Sequence, residues 1–152
     1  MPQFKTVHRV RHSAVDMFDL VADVERYPQF VPLCQGLKVK GRQPLEGGRS
    51  ILVADMTVAY KVFRETFTSR VTLNPEAREI LVEYLDGPFR HLENRWSFVA
   101  VGDKACDVGF DINYEFRSAT LGALMGVMFD KAFRKFSAAF EARADAVYGA
   151  AA

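Results

Sequence analysis

Apolar and polar residues alternate with a period of two through the middle of this chain and recur near every 3.6 residues close to both ends. "FKTVHRV" predicts a first strand over roughly residues 3–11. Ser13 then stands three residues before Asp16, a variant of the capping box that opens a helix. Behind it Ala14, Met17, Phe18, Val21 and Val24 keep helical spacing. Pro28 is expected to stop that helix, and Pro32 to hold the following residues to a short turn.

From Leu37 the period becomes two. "LKVKGRQPL" predicts a strand that tolerates Pro44 near an end or an edge, and the paired glycines of "EGGR" predict a hairpin turn. "SILVADMTVAYKV" and "FRETFTSRVTL" follow as long strands. The second sets Phe63, Phe67, Val71 and Leu73 against Arg64, Thr66, Arg70 and Thr72. "NPEAR" reads as a turn, "EILVEYLDG" as the next strand, and "HLENRWSFVAV" alternates Leu92, Trp96 and Phe98 against Glu93, Arg95 and Ser97. The cleanest alternation is "CDVGFDINYEFRS". Val108, Phe110, Ile112, Tyr114 and Phe116 face one way; Asp107, Asp111, Asn113, Glu115 and Arg117 face the other. One dry face and one wet face is the mark of an antiparallel sheet.

After Ser118 the helical period returns. Leu121, Leu124, Met125, Met128, Phe129, Ala132, Phe136, Phe140, Ala144 and Val147 form an apolar stripe, and Gly149 marks the stop after Tyr148. The order predicted is strand, helix, short helical turn, six strands, long helix. That is an α+β fold: an antiparallel sheet of about seven strands, its dry face covered by the C-terminal helix, in one domain over residues 1–152.

Composition adds one pressure. The chain has 152 residues and thirteen phenylalanines, a large apolar load to be packed or used. Its formal net charge is +1, so no global field draws it to nucleic acid or acidic membrane, and no DNA partner is expected. Lys38, Lys40 and Arg42, and Lys131, Arg134 and Lys135, read as solvated faces. Cys34 and Cys106 lack metal-ligand spacing and suit buried thiols; their redox state stays open. The N-terminus lacks a signal-peptide run, and "ATLGALMGVMF" is about half of a membrane span, so a cytoplasmic place is the default.

Catalysis finds little support. His8, His12 and His91 sit in no motif with a nucleophile, and no phosphate-cradling glycine loop or metalloprotease helix is present. Glu65 and Asn94 fall in phase with the dry face. Each reads either as a polar group inside a pocket or as an edge residue reaching water. The apolar surplus is equally two-sided. Trp96, Phe98, Phe110, Tyr114, Met125, Met128, Phe129 and Phe136 either fill a solid core or line a space left between a curved sheet and the helix.

Four segments, "YPQFVPLC", "DGPFRHLENRWSFVAV", "CDVGFDINYEFRS" and "FEARADAVYG", resemble the polyketide cyclase/START-like family. The resemblance runs in order over nearly the whole chain. It points to the subgroup of the coenzyme Q-binding proteins and the ribosome-association toxin. It implies a helix-grip fold with a cavity between sheet and helix. It also implies a polyprenyl quinone such as ubiquinone, or a similar lipid, bound as a ligand rather than a cofactor and without chemistry. Pocket roles are implied for the apolar residues of the proline loop (Phe30, Val31, Pro32, Leu33), for Phe89 and for Trp96. The family pattern often has a tryptophan near Leu33, and this chain does not. The expected function is a carrier supporting respiration, in transient contact with a membrane surface at its inner face. The alternative is a translation inhibitor bound to the large ribosomal subunit. An aromatase/cyclase-type enzyme ranks third, for want of a convergent acid–base set.

Overall fold

A computed structural model describes residues 3–60 and 63–149, apart from the side chain of Phe63. Among them, seven strands form one antiparallel sheet. They are β1 (Gln3–Val10), β2 (Cys34–Pro44), β3 (Ser50–Tyr60), β4 (Phe63–Asn74), β5 (Glu79–Asp86), β6 (Phe89–Ala100) and β7 (Cys106–Phe116). The order across the sheet is β1-β7-β6-β5-β4-β3-β2. Strands β2 to β7 run as successive hairpins, and β1 closes on β7, pairing Thr6 with Phe110 and Val10 with Cys106. Helix α1 (Ala14–Ala22) follows β1, and α2 (Ala119–Tyr148) lies on the dry face. This is the helix-grip architecture expected.

The caps behave as their residue types dictate. The Ser13 hydroxyl accepts from the Asp16 backbone N–H at 3.1 Å, and the Ser118 hydroxyl accepts from that of Leu121 at 3.2 Å. Gly149, at φ 91°, ends α2 where expected. Gly47 and Gly48 carry the positive φ that the β2–β3 turn requires. Gly87 is needed for a different reason: a Cβ there would lie 2.6 Å from the Phe67 Cβ.

Three expectations shift. Helix α1 ends at Ala22, and Val24–Gln29 form a 3-10 segment with Pro28 inside it. Asp23 (ψ 68°) turns the chain, and buried Tyr27 folds back to donate its hydroxyl to the Val21 carbonyl. Strand β2 starts at Cys34, because Leu33 and Ala59 join loop and sheet through a 3.1 Å backbone hydrogen bond. Leu124 and Val147 are 52% and 51% exposed, whereas Phe133 is buried. Leu124 lies a residue step of about 100° off the stripe, and Val147 falls in the last turn. The expected strand residues Lys61 and Val62 lie outside the described residues.

Register irregularities at Cys34/Gly36, Val39/Gly41, Thr68/Ser69 and Phe89/His91 bend the sheet around α2. At one end of the concavity Phe89 is 1% exposed, stacked on Phe116 at 4.7 Å and edge-on to Phe67 at 5.5 Å. At the other, Phe140 meets Trp96 and Phe30 with ring centroids 5.0 Å apart.

Candidate functional site

Between these aromatic clusters the packing is incomplete. A cavity of about 110 Å³ lies between α2 and the concave face of the sheet. Its ceiling is Phe129, Ala132, Phe133, Phe136 and Phe140 of α2. Its floor crosses β3 to β7, from Ala54, Met56 and Val58 through Phe67, Val71 and Val82 to Leu92, Trp96, Phe110 and Ile112. Val31, Pro32 and Leu33 form one wall with Tyr27 and Val24. Pro32, Leu33, Leu37, Met56 and Phe136 are half-buried, which marks the side where the cavity approaches solvent.

That volume is smaller than the roughly 150 Å³ that accepts a benzene. A long isoprenoid chain requires the walls to part, so the wide tunnel that a polyprenyl ligand demands is closed in this structure. The wall that would yield is also strained. Leu33 holds φ 67°, a left-handed conformation that costs a branched-chain residue about 1–2 kcal/mol.

Among the described residues the wall is apolar except for four side chains: Tyr27, Ser69, Asn94 and Trp96. Asn94 is 8% exposed and buried to a purpose. Its Nδ2 donates to the Asp111 carbonyl at 3.1 Å, and its Oδ1 accepts from the Trp96 indole Nε1 at 2.8 Å. The pair fixes the indole plane against the cavity. Asn94 is thus an inward polar group, while Glu65 is half-buried on β4 and does not line the cavity.

Seven of the residues expected at a site line this cavity: Val31, Pro32, Leu33, Trp96, Phe110, Phe129 and Phe136. Six do not. Phe30 covers Phe140 from outside, with the Arg143 guanidinium 5.2 Å above its ring. Phe98 packs on Phe18 at 5.9 Å. Phe89 and Tyr114 belong to the cluster around Phe116, Met125 is fully buried, and Met128 is half-buried beside the core. Sequence reasoning missed the contribution of β3 to β5, namely Met56, Ser69, Val71 and Val82. Their signal was available, since Ser69 shares its phase with Phe67 and Val71.

The histidines serve elsewhere. His8 pairs with Glu141 at 3.1 Å, His12 with Asp145 at 2.7 Å, and His91 with Asn113. None lines the cavity. Cys34 and Cys106 are free thiols, each pushed up to about 11 by burial. At neutral pH both are protonated and unreactive. Among the described residues, no group of three His, Cys, Asp or Glu is placed to hold a metal, and no helix is long and apolar enough to cross a membrane.

Residues 10–141 match the family model described as polyketide cyclase / dehydrase and lipid transport. A protein of Pseudomonas aeruginosa named ribosome association toxin RatA is 37% identical over 138 residues, covering 91% of this chain and 92% of that protein. A Xenopus laevis protein named coenzyme Q-binding protein COQ10 homolog B, mitochondrial, is 30% identical over 141 residues, covering 90% of this chain and 55% of that one. Among solved structures, an 18 kDa protein of Caulobacter crescentus superposes with a TM-score of 0.80 at 37% identity, covering 99% of this chain and all of that one. A START superfamily protein of Mycobacterium smegmatis gives 0.79 at 21% identity over 95% of this chain and 98% of that one, a likeness of fold alone. The chain belongs to the polyketide cyclase / dehydrase and lipid transport family.

Proposed function

We propose that this family member is a non-catalytic carrier of a long neutral lipid, a polyprenyl quinone such as ubiquinone being the ligand class that suits it best. The observation that carries the reading is the cavity itself: an internal space walled almost wholly by apolar side chains, approached through a half-buried rim at Pro32, Leu33 and Phe136. Moving a lipid tail from water to such a wall contributes roughly 25 cal/mol per Å². Several hundred Å² of sheltered tail therefore supports micromolar binding before the costs of association and of parting the walls are subtracted. The coenzyme Q-binding name of a 30% identical relative supports the choice of ligand. The absence of any histidine, carboxylate or cysteine from the cavity wall supports binding over turnover. Loading calls for transient contact with a bilayer, at its cytoplasmic face.

The test is mass spectrometry of lipid extracted from protein purified natively from a quinone-producing host. A recurring polyprenyl quinone at near-stoichiometric amounts is expected. Protein that carries none, and that fails to take one up from vesicles, ends the reading.

The 37% identity to a ribosome association toxin over nearly the whole chain favours a second reading, binding to the large ribosomal subunit. Lys131, Arg134 and Lys135 crowd the outer face of α2, where phosphate contacts would fall. Such binding weakens steeply with salt. Co-sedimentation with ribosomal subunits at low salt, lost as salt rises, is the expected signature; none at low salt removes this reading.

A further inference from the structure

The four polar side chains on the cavity wall are not equivalent. The Tyr27 hydroxyl is spent on the Val21 carbonyl. Asn94 and Trp96 are tied to each other and, through Asn94, to the Asp111 carbonyl. Ser69 differs. It is 5% exposed, and among the described residues its hydroxyl meets no hydrogen-bond partner.

Its backbone is placed with care. On the β4–β5 ladder Thr68 opposes Asp86 and Ser69 opposes Tyr84, so Leu85 is the extra residue of a bulge. Bulges re-aim side chains next to sites. Phe67 and Val71 flank Ser69 on the inward face, and Ala54 sits across from it on β3. A lone hydroxyl in such a wall costs stability unless something pairs with it. If water fills the gap, a ligand that displaces it must supply the lost hydrogen bond or lose affinity.

We propose that Ser69 is the polar anchor of the cavity, donating a hydrogen bond to a carbonyl oxygen on an otherwise apolar, uncharged ligand. The oxygenated head then sits inside against β4, and the tail leaves toward Pro32 and Leu33. This rests on the reading that the cavity is a ligand site. Charge narrows the class further. Among the described residues no Lys, Arg or His lines the cavity to meet a carboxylate or phosphate, so fatty acids and phospholipid heads are disfavoured. A pure hydrocarbon leaves the hydroxyl unpaired. Quinones, ketones and esters satisfy both conditions.

The experiment compares wild type with Ser69→Ala, using two probes with the same ten-carbon tail: decylubiquinone, which has carbonyls, and decylbenzene, which has none. Affinity is read by displacement of the neutral fluorophore N-phenyl-1-naphthylamine. Loss of one hydrogen bond should weaken decylubiquinone about three- to tenfold and leave decylbenzene unchanged. In parallel, the carbonyl stretch of 13C-labelled decylubiquinone should move to lower frequency in the wild-type complex and return upward in Ser69→Ala. Equal weakening of both probes, unchanged quinone affinity, or a carbonyl band blind to the substitution overturns the anchor while leaving the carrier reading intact. If wild type binds neither probe, the cavity is not a ligand site and both ideas fall.

Discussion

From Ser137 to Tyr148, α2 is tied to the rest of the molecule by directional side-chain bonds. Glu141 meets His8 at 3.1 Å, Arg143 donates to Gln29 at 2.7 Å, Asp145 meets His12 at 2.7 Å, and the Tyr148 hydroxyl donates to the Asp16 carbonyl at 3.0 Å. These four ties reach β1, α1 and the segments beside them. From Ala119 to Phe136 the same helix is held differently. Met125, Phe129, Ala132 and Phe133 are buried, and the polar bonds are local: the Ser118 cap, and Asp130 with Arg134. Toward the sheet, this half places the Arg134 guanidinium over the Phe4 ring, 5.6 Å from its centroid. Hydrogen bonds fix an angle; apolar contacts tolerate sliding. Four of the five helix residues over the cavity, Phe129 to Phe136, belong to the half held by apolar contact. Enlargement of so small a space therefore falls to that half and to the loop at Leu33, with the clamped end as the fixed point.

The sharpest way to break this contrast is to remove one ring from each half. Phe140 is 2% exposed and touches Tyr27, Phe30, Trp96 and Phe136. Phe140→Ala should cost about 3–5 kcal/mol in denaturant unfolding. Phe136 is half-buried at the rim, and Phe136→Ala should cost less than half as much. Equal losses would mean that both halves are core in the same sense. Next in size is the clamp. The His12 side chain is 5% exposed, and Asp145→Ala leaves its ring nitrogen without that partner. A loss of about 1–3 kcal/mol is expected. A double-mutant cycle with His12→Ala should recover most of it as coupling, whereas the Arg134–Phe4 pair should give at most about 1 kcal/mol. A larger coupling for the second pair would reverse the comparison.

Much of this architecture was legible because it follows from period. Strand β7 buries every second residue from Cys106 to Phe116, as its alternation demands. Helix α2 starts at the Ser118 cap and stops at Gly149 because both residues have a single good role there. The end of α1 was hidden because Asp23, not Pro28, turns the chain, and its reason is the tertiary fit of Tyr27. The site was legible as a face but not as a depth. Trp96, Phe110 and Phe129 share their phase with Phe98, Tyr114 and Met125. Periodicity says which residues turn inward, while position along the helix axis decides which of them border a gap. For Ser69 the phase was legible and the surroundings were not. Its step with Phe67 and Val71 turns it inward, but only register places it opposite Ala54 and beside the gap.

The smallest expected effect tests the contrast where it is most local. The Ser118 hydroxyl satisfies one of the orphan N–H groups that begin α2, and Ser118→Ala should cost about 1 kcal/mol. Global unfolding reports that loss without saying where it acts, whereas amide hydrogen exchange does. In wild type, amides from Gly122 to Met128 should exchange faster than those from Phe140 to Asp145, since local opening is easiest where directional ties are fewest. Ser118→Ala should widen that gap, accelerating the first two turns and leaving the clamped turns at their wild-type rate. The cap is far in sequence from Glu141 and Asp145, so a helix that opens in segments has no reason to pass the loss along. A uniform acceleration from Ala119 to Tyr148 would show the helix opening as one unit. The fixed point would then vanish, and entry to the cavity would have to come from the Pro32–Leu33 wall alone.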